Sequence, residues 1–310
     1  MITHLVFDIS NVLQRTYLKV WNGVDDRDDM FRLTILQAFT TLNKYYNQFK
    51  PDHIVCAFDR PNWRVDYTKS EKCISQRIYK GKRRVNFTPM ELQRYSEFKE
   101  HVMFFEDMIR QYTSIVVLSG DQLEADDVIA GYAQRFGTND RVIIISADKD
   151  LIQLMRFPNT ILIDPNTNSN RTCDDIDYYM FEKCIRGDQS DNVASAFPKV
   201  RSTRLKKAFN DPYEYTNLMN ETWITPYGNE IKVGDLFNEN ILLMDLFKQP
   251  DHIKQLINES IDYGIKTQGK YDHFQMIKYC NRNGLIKLRE QLGNYKNLFS
   301  KRCSYEITEM

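Results

Sequence analysis

Among the 310 residues there is no run of 18 apolar ones, so no segment is long enough to cross a membrane as an apolar helix. The opening MITHLVFD passes straight into a charged strand end and lacks the pattern of a secretory signal, so a soluble, cytoplasmic protein is expected. The six cysteines (Cys56, Cys73, Cys173, Cys184, Cys280 and Cys303) show no CxxC or other metal-type spacing. A chain this long needs no disulfide to hold its core, so reduced, mostly buried thiols are expected. The five histidines share no spacing either, which leaves them structural or surface roles. Charge of one sign is missing overall, with 42 Lys and Arg against 42 Asp and Glu, and no internal repeat or low-complexity tract is present. What remains is 42% hydrophobic residues, enough for one large domain or two modest ones.

The apolar residues are organised. Segments 4–8, 53–58, 114–119, 141–147 and 160–164 are rich in Val, Ile and Leu without clean alternation, as parallel strands buried on both faces require. Helical periodicity separates them over 28–49, 90–111 and 123–135, the second opened by Thr88 and Pro89 as N-cap and first residue. Alternating β and α elements predict an α/β fold, a central, mainly parallel twisted sheet with helices on both faces. After Pro165 the strand signal fades, NTNSNR at 166–171 reads as a turn, and 174–186, 202–209, 234–247, 250–261 and 271–292 read as helices. ETWITPYGNEIKVG, with Pro226 to Asn229 as turn residues, fits a hairpin. A boundary in 165–185 is expected, giving an α/β domain over 1–180 and a mainly helical C-terminal domain over 181–310.

Acids recur where these strands end. HLVFD stops at Asp8, HIVCAFD at Asp59, LEADD supplies Glu124, Asp126 and Asp127, and SADKD supplies Asp148 and Asp150. Ligands bind at the carboxyl edge of such a sheet, and like charges gathered there raise one another's pKa unless cations intervene. Acids also favour the first turn of a helix, which accounts for some of LEADD, but three in four residues exceeds capping. GDQSDN adds Asp188 and Asp191, which would face one way on a helical turn. These nine oxygen donors, without His or Cys, suit hard cations, two Mg²⁺ with Mn²⁺ as a substitute, rather than Zn²⁺. Two such ions about 3.5 to 4 Å apart serve phosphodiester cleavage.

Charge is unevenly spread within the zero sum. Residues 60–84 hold nine Lys or Arg (Arg60, Arg64, Lys69, Lys72, Arg77, Lys80, Lys82, Arg83 and Arg84) against Asp66 and Glu71 alone. Trp63, Tyr67 and Tyr79 are interleaved, a combination that offers rings to bases and cations to phosphates. The segment 60–88 fits neither period and is long for a connection. A second cluster, Lys199, Arg201, Arg204, Lys206 and Lys207, places five cations in nine residues, which suits duplex phosphates.

In order and spacing over residues 1–195, the succession VFD, AFD, YKGKR, LEADD, SADKD and GDQSDN resembles the structure-specific 5′ nuclease superfamily of flap endonucleases and polymerase 5′ nuclease domains. GDQSDNVASAFPKVRS and the total length look most like the T-even-type phage ribonuclease H branch. The resemblance implies a PIN-like 5′ nuclease fold and a metal-dependent 5′ to 3′ nuclease acting on RNA/DNA hybrids, duplex 5′ ends and 5′ flaps. In phage replication this chemistry removes lagging-strand primers. It makes Asp8, Asp59, Glu124 and Asp126 the first-metal group and Asp148, Asp150 and Asp191 the second, with Asp126 plausible in both and Asp127 and Asp188 in support. It brings Lys80 and Arg83 to the scissile phosphate from an arch at about 60–88, flanked by Lys82 and Arg84, with Tyr79 stacking on a base. Partners implied are DNA or RNA/DNA hybrid, with a single-strand-binding protein and a sliding clamp reached through the helical half, since only three residues precede the first strand. A monomer is expected.

One departure stands out. Many members follow SDN with a glycine-rich hairpin that grips a duplex phosphate, often through a monovalent cation, whereas no glycine occurs here from Asp188 to Tyr227. Two competing readings are a PIN-type endoribonuclease, usually shorter and without YKGKR, and a non-catalytic flap- or junction-binding protein, which would not need every acid in place.

Overall fold

The computed structural model describes residues 1–21, 26–225, 228–303 and 305. In chain order the elements are β1 (Thr3–Asp8), α1 (Ile9–Trp21), α2 (Arg27–Phe49), β2 (His53–Ala57), α3 (Trp63–Lys69), α4 (Pro89–Tyr112), β3 (Val116–Leu118), α5 (Ala125–Phe136), β4 (Arg141–Ile145), a 3₁₀ helix (Asp150–Arg156), β5 (Thr160–Asp164) and β6 (Ser169–Asn170). There follow α6 (Ile176–Arg186), α7 (Ser202–Asn210), α8 (Pro212–Asn220), β7 (Thr222–Ile224), β8 (Glu230–Lys232), α9 (Val233–Met244), α10 (Asp251–Lys266), α11 (His273–Arg282), α12 (Ile286–Glu290) and α13 (Leu292–Ser300).

The chain forms two compact units that interleave along the sequence. The first comprises residues 1–60, 89–171 and 255–310, the second 61–88 and 172–254. No single boundary near residue 180 divides them: the basic segment groups with the middle of the chain, and the last stretch returns to the first unit. The physical reason is apolar burial. Met276, Cys280, Leu288, Leu298 and Phe299 join the same core as β1, α2 and α4, while Tyr79 is built into the core of α6, α7 and α9.

In the first unit the sheet has six strands in the order β3-β2-β1-β4-β5-β6, with β1 to β5 parallel and β6 antiparallel at the edge. Every residue of β2 and β3 is buried, and β1 is buried from His4 to Asp8, so the runs lack alternation because both faces are covered. Helix α2 is capped by Asp26, which accepts from the Asp29 N–H at 2.8 Å, and it ends where Lys50 turns left-handed at φ 46°. Gly131 lets Ile257 close on α5, since a Cβ there would meet the Ile257 Cγ2 at 2.2 Å. The expected helix over 271–292 is broken at Gly284, whose φ of +67° ends α11 and restarts the chain as α12. Helix α1 and the 3₁₀ helix were not legible from periodicity. The expected hairpin forms as β7–β8, although its turn residues Pro226 and Tyr227 lie outside the described residues. Among the described residues no helix is long and apolar enough to cross a membrane.

At the amino end of the sheet, two histidines without sequence spacing meet. His4 and His53 are paired across β1 and β2 with ring centroids 4.8 Å apart, and both are buried. The His4 Nδ1 lies 2.7 Å from the Tyr132 hydroxyl, and Phe136 and Tyr305 stack on its ring. Burial first, and then the His53 ring, lower the His4 pKa to about 4, against the attraction of Asp140. A histidine lowered in the folded state costs stability on acidification: between about pH 6.5 and 4 the unfolded chain takes a proton that the native chain refuses. We expect the native state to lose about 3 kcal/mol over that window through His4. Urea unfolding at pH 7 and pH 5 checks this by comparing the wild type with His4→Gln, which should show a smaller loss; identical pH dependence would exclude the role.

Candidate active site at the carboxyl edge of the sheet

Parallel pairing decides what Asp8 meets. Because Phe7 lies opposite Ile145, the next residue of each strand, Asp8 and Ser146, come side by side, and the Ser146 hydroxyl donates to Asp8 Oδ2 at 2.8 Å. Asp8 Oδ1 accepts from the Asn11 N–H at 3.1 Å, so the same carboxylate starts α1. Asn11 in turn accepts the Ala147 N–H at 3.1 Å, and Ser146 accepts the Asp148 N–H at 3.0 Å, tying the ends of β1 and β4 together. Asp148 Oδ1 takes the Asp150 N–H at 2.8 Å, setting the turn into the 3₁₀ helix. One strand away, Asp59 Oδ1 accepts the Ala125 N–H at the start of α5 at 2.8 Å.

LEADD divides by role. Glu124 and Asp127 form a reciprocal capping box at the start of α5, with the Glu124 N–H donating to Asp127 Oδ2 at 3.0 Å. Asp127 is fully buried there, as a helix cap rather than an open donor. Asp126 is half-buried, as are Asp148 and Asp150, and Asp59 is exposed. Asp8, Asp59, Glu124, Asp126, Asp127, Asp148 and Asp150 thus gather at one edge of the first unit. Among the described residues no group of three or more such side chains is drawn together to hold a metal ion as it stands. The chemistry of the donors nonetheless fits a hard divalent cation, being oxygen alone.

Asp8 carries the electrostatic signature. It is buried, and that burial, followed by the charges of Asp59 and Asp148, pushes its pKa up to about 7 despite the donors from Asn11 and Ser146. Among the described residues Asp8 forms no ion pair with a Lys or Arg. A carboxyl raised in the folded state destabilises the native chain as pH climbs from about 4 to 7, where the unfolded chain has already released its proton.

Asp188 and Asp191 belong to the second unit and do not share a helical turn. Gly187 ends α6 at φ +68°, where a Cβ would meet the Ala194 carbonyl oxygen at 2.4 Å, and the backbone then closes a bridged turn between Asp188 and Val193. Asp188 Oδ1 accepts the Ser190 N–H at 2.8 Å and shapes that turn, with Lys183 Nζ 3.8 Å from its other oxygen. Asp191 is buried and accepts from the Tyr79 hydroxyl at 2.7 Å and from Arg83, with Lys80 Nζ at 3.8 Å. Burial raises its pKa, but Lys80, Arg83 and the Tyr79 hydrogen bond outweigh this and hold it below the usual carboxylate range. Tyr79, expected to stack on a base, is instead a buried member of this unit's core.

The basic segment is built, not aperiodic throughout. Asn62 caps α3, and the buried Arg64 donates from Nε to the Leu243 carbonyl at 2.7 Å, at the end of α9. The buried Glu239 accepts the Ile74 and Ser75 N–H groups at 2.5 and 3.1 Å, and Asn192 donates to the Ile78 carbonyl at 2.9 Å. Lys82, Arg83 and Arg84 are exposed beyond these anchors. Glu239, Asn11 and Ser146 carried no sequence signal, since each has a partner distant in the chain, and Arg64 stood out only as one charge of the basic run. Of the second cluster, Lys199, Arg201 and Lys206 are exposed, whereas Arg204 pairs with Glu221 and Lys207 with Glu214 at 2.6 Å. Lys199 adopts φ +61° without being glycine.

Residues 3–185 match the family model of the 5′-3′ exonuclease N-terminal resolvase-like domain. The chain belongs to this family. It is 27% identical to the ribonuclease H of Enterobacteria phage T4 over 208 residues, a match covering 61% of this chain and 63% of that relative's length. It is 29% identical over 280 residues to a 5′-3′ exonuclease of Mycoplasmopsis pulmonis, covering 80% of this chain and 84% of the relative. In fold it is similar to the phage T5 flap endonuclease in a pseudo-enzyme–product complex with DNA and metal ions. There the TM-score is 0.63 and the identity 15%, over 86% of this chain and 98% of the other.

For a member of this family with an unbalanced carboxyl at the sheet edge, we expect Asp8→Asn to raise the melting temperature by several degrees at pH 8 in EDTA, since on the order of 4 kcal/mol of ionisation cost is removed. Magnesium should raise the melting temperature of the wild type and not that of Asp8→Asn. Differential scanning fluorimetry decides it, and a lower melting temperature for the variant in EDTA would contradict the repulsion.

Proposed function

We propose that this protein is a metal-dependent 5′ to 3′ nuclease that cleaves phosphodiester bonds in RNA/DNA hybrids, duplex DNA 5′ ends and 5′ flaps, removing primers in phage lagging-strand replication. The observation that carries the reading is Asp8, a buried carboxyl held at about pKa 7 between Asp59 and Asp148 in a chain of the 5′-3′ exonuclease family. Repulsion of this kind is relieved when a divalent cation binds. Asp8, Asp59, Glu124 and Asp126 would hold one Mg²⁺, and Asp148 and Asp150 the other. Such ions, when bound, lower the pKa of a water and stabilise the leaving oxygen. The DNA bound in the phage T5 flap endonuclease complex supports a nucleic-acid substrate.

The chain's own residues divide the remaining work. Lys80 and Arg83 would meet the phosphate and stabilise charge on its oxygens. Asp191 orients both, because it accepts from Arg83 and lies beside Lys80 while Tyr79 fixes its second oxygen. Exposed Lys82, Arg84, Lys199, Arg201 and Lys206 would neutralise backbone phosphates, giving binding that falls with salt.

The test compares a labelled 5′ flap, a nicked duplex and an RNA primer on DNA, each with Mg²⁺ and with chelator, reading product lengths. We expect Mg²⁺-dependent release from the 5′ end. Asp148→Asn should abolish cleavage with substrate binding largely kept, and Lys80→Ala should lower the single-turnover rate constant by about 10²-fold or more. Near wild-type turnover of Asp148→Asn in Mg²⁺ would sink the assignment.

A further inference from the structure

The acids do not occupy the whole sheet edge. At its β2–β3 end the buried Glu106 of α4 accepts two guanidinium groups at once. Arg60 Nη2 donates to both of its oxygens at 2.7 Å, and Arg110 Nε and Nη2 donate to Oε1 at 3.1 and 2.9 Å. The Ser119 hydroxyl, just past β3, donates to Oε1 at 3.1 Å and accepts from Arg110 at 2.7 Å. Arg60 immediately follows Asp59 and donates from Nη1 to its carbonyl oxygen at 3.1 Å.

One cation balances a buried carboxylate, and here two are supplied, so the cluster keeps a net positive charge. The Arg60 and Arg110 side chains remain 31% and 27% exposed, while Glu106 fixes the planes of both guanidiniums. A guanidinium held flat and partly open is a preorganised fork for phosphate oxygens. At the other end of the edge, Arg171 donates to Asp164 at 2.7 Å, one cation to one acid, which leaves that end without such an excess. Two cations on one acid thus set the Glu106 cluster apart from the Asp164 pair.

We propose that Arg60 and Arg110 form a phosphate-binding site that grips the substrate strand next to the bond being cut and fixes how it lies across the acidic row. The site rests on the nuclease reading above, and its ligand is a nucleic-acid phosphate, either the terminal 5′ phosphomonoester or an internal phosphodiester. Arg60 and Arg110 act in binding and positioning, not on the reacting atoms.

The experiment measures binding of the full chain to a 5′ flap by fluorescence anisotropy in EDTA, over a salt series. It uses 5′-phosphorylated and 5′-hydroxyl flaps, with wild-type cleavage in Mg²⁺ recorded in parallel. Arg60→Gln should weaken binding by about tenfold and lower the slope of log affinity against log salt by about one. Arg60→Lys should keep the slope and lose part of the affinity, because it retains the charge without the fork. Should Arg60→Gln fail to fold, Arg110→Gln carries the same expectation. A loss confined to the phosphorylated flap assigns the terminal phosphate, and an equal loss on both assigns an internal one. Wild-type affinity and slope in the folded variants would overturn the site even where the wild type cleaves, whereas absence of wild-type cleavage with the binding loss intact would overturn only the nuclease reading.

Discussion

The register between β1 and β4 is the constraint on which the rest of the first unit depends. With Phe7 opposite Ile145, the last pair in register between the two central strands, the residues that follow are Asp8 and Ser146, which come side by side where the β1–β4 ladder ends. Asp8 then serves three structures at once: it ends β1, caps α1 and binds the β4 turn through Ser146. A slip of one residue would turn every side chain of a strand to the opposite face and dismantle all three. The price of that precision is a carboxyl buried among carboxyls.

The acids of this protein fall into two electrostatic kinds, and the distinction explains more than their number. Asp191, Glu106 and Asp164 each lie against arginine, so their charge is met within the protein. Asp8 instead has Asp59 and Asp148 as its charged neighbours, and its proton is held to about neutral pH. Structural ion pairs account for the first kind. Only an exogenous cation, or a retained proton, accounts for the second. The divalent cation of the proposed function would meet the second kind.

Much of the fold was readable because buried parallel strands leave an unambiguous mark. Five apolar runs became β1 to β5 within a few residues, and α2, α4 and α5 followed their periodicity. The misses have physical causes. Helix α1 begins directly at the end of β1, so no loop or turn residue separates its first turn from the strand. Segment 60–88 looked irregular because its order comes from distant partners, Glu239, Asp191, Asn192 and the Leu243 carbonyl, rather than from any period of its own. Asp188 and Asp191 looked alike three residues apart, but Gly187 and the Asp188–Val193 bridge replace the helical turn with a tight one.

By itself the sequence determined which residue types stand at strand ends, because local apolar runs specify strands and the first polar residue after each marks the edge. It also determined the family, through acids and YKGKR in a fixed order. Tertiary structure alone decided how each charge is met: that Asp127 caps a helix, that Tyr79 is core, that Asp191 holds Lys80 and Arg83, and that Glu106 gathers Arg60 and Arg110. Most of these pairings join segments tens of residues or more apart, and even the local ones, Glu124 with Asp127 and Glu106 with Arg110, are set by burial. Their energies depend on distance and burial, which only the packed chain sets.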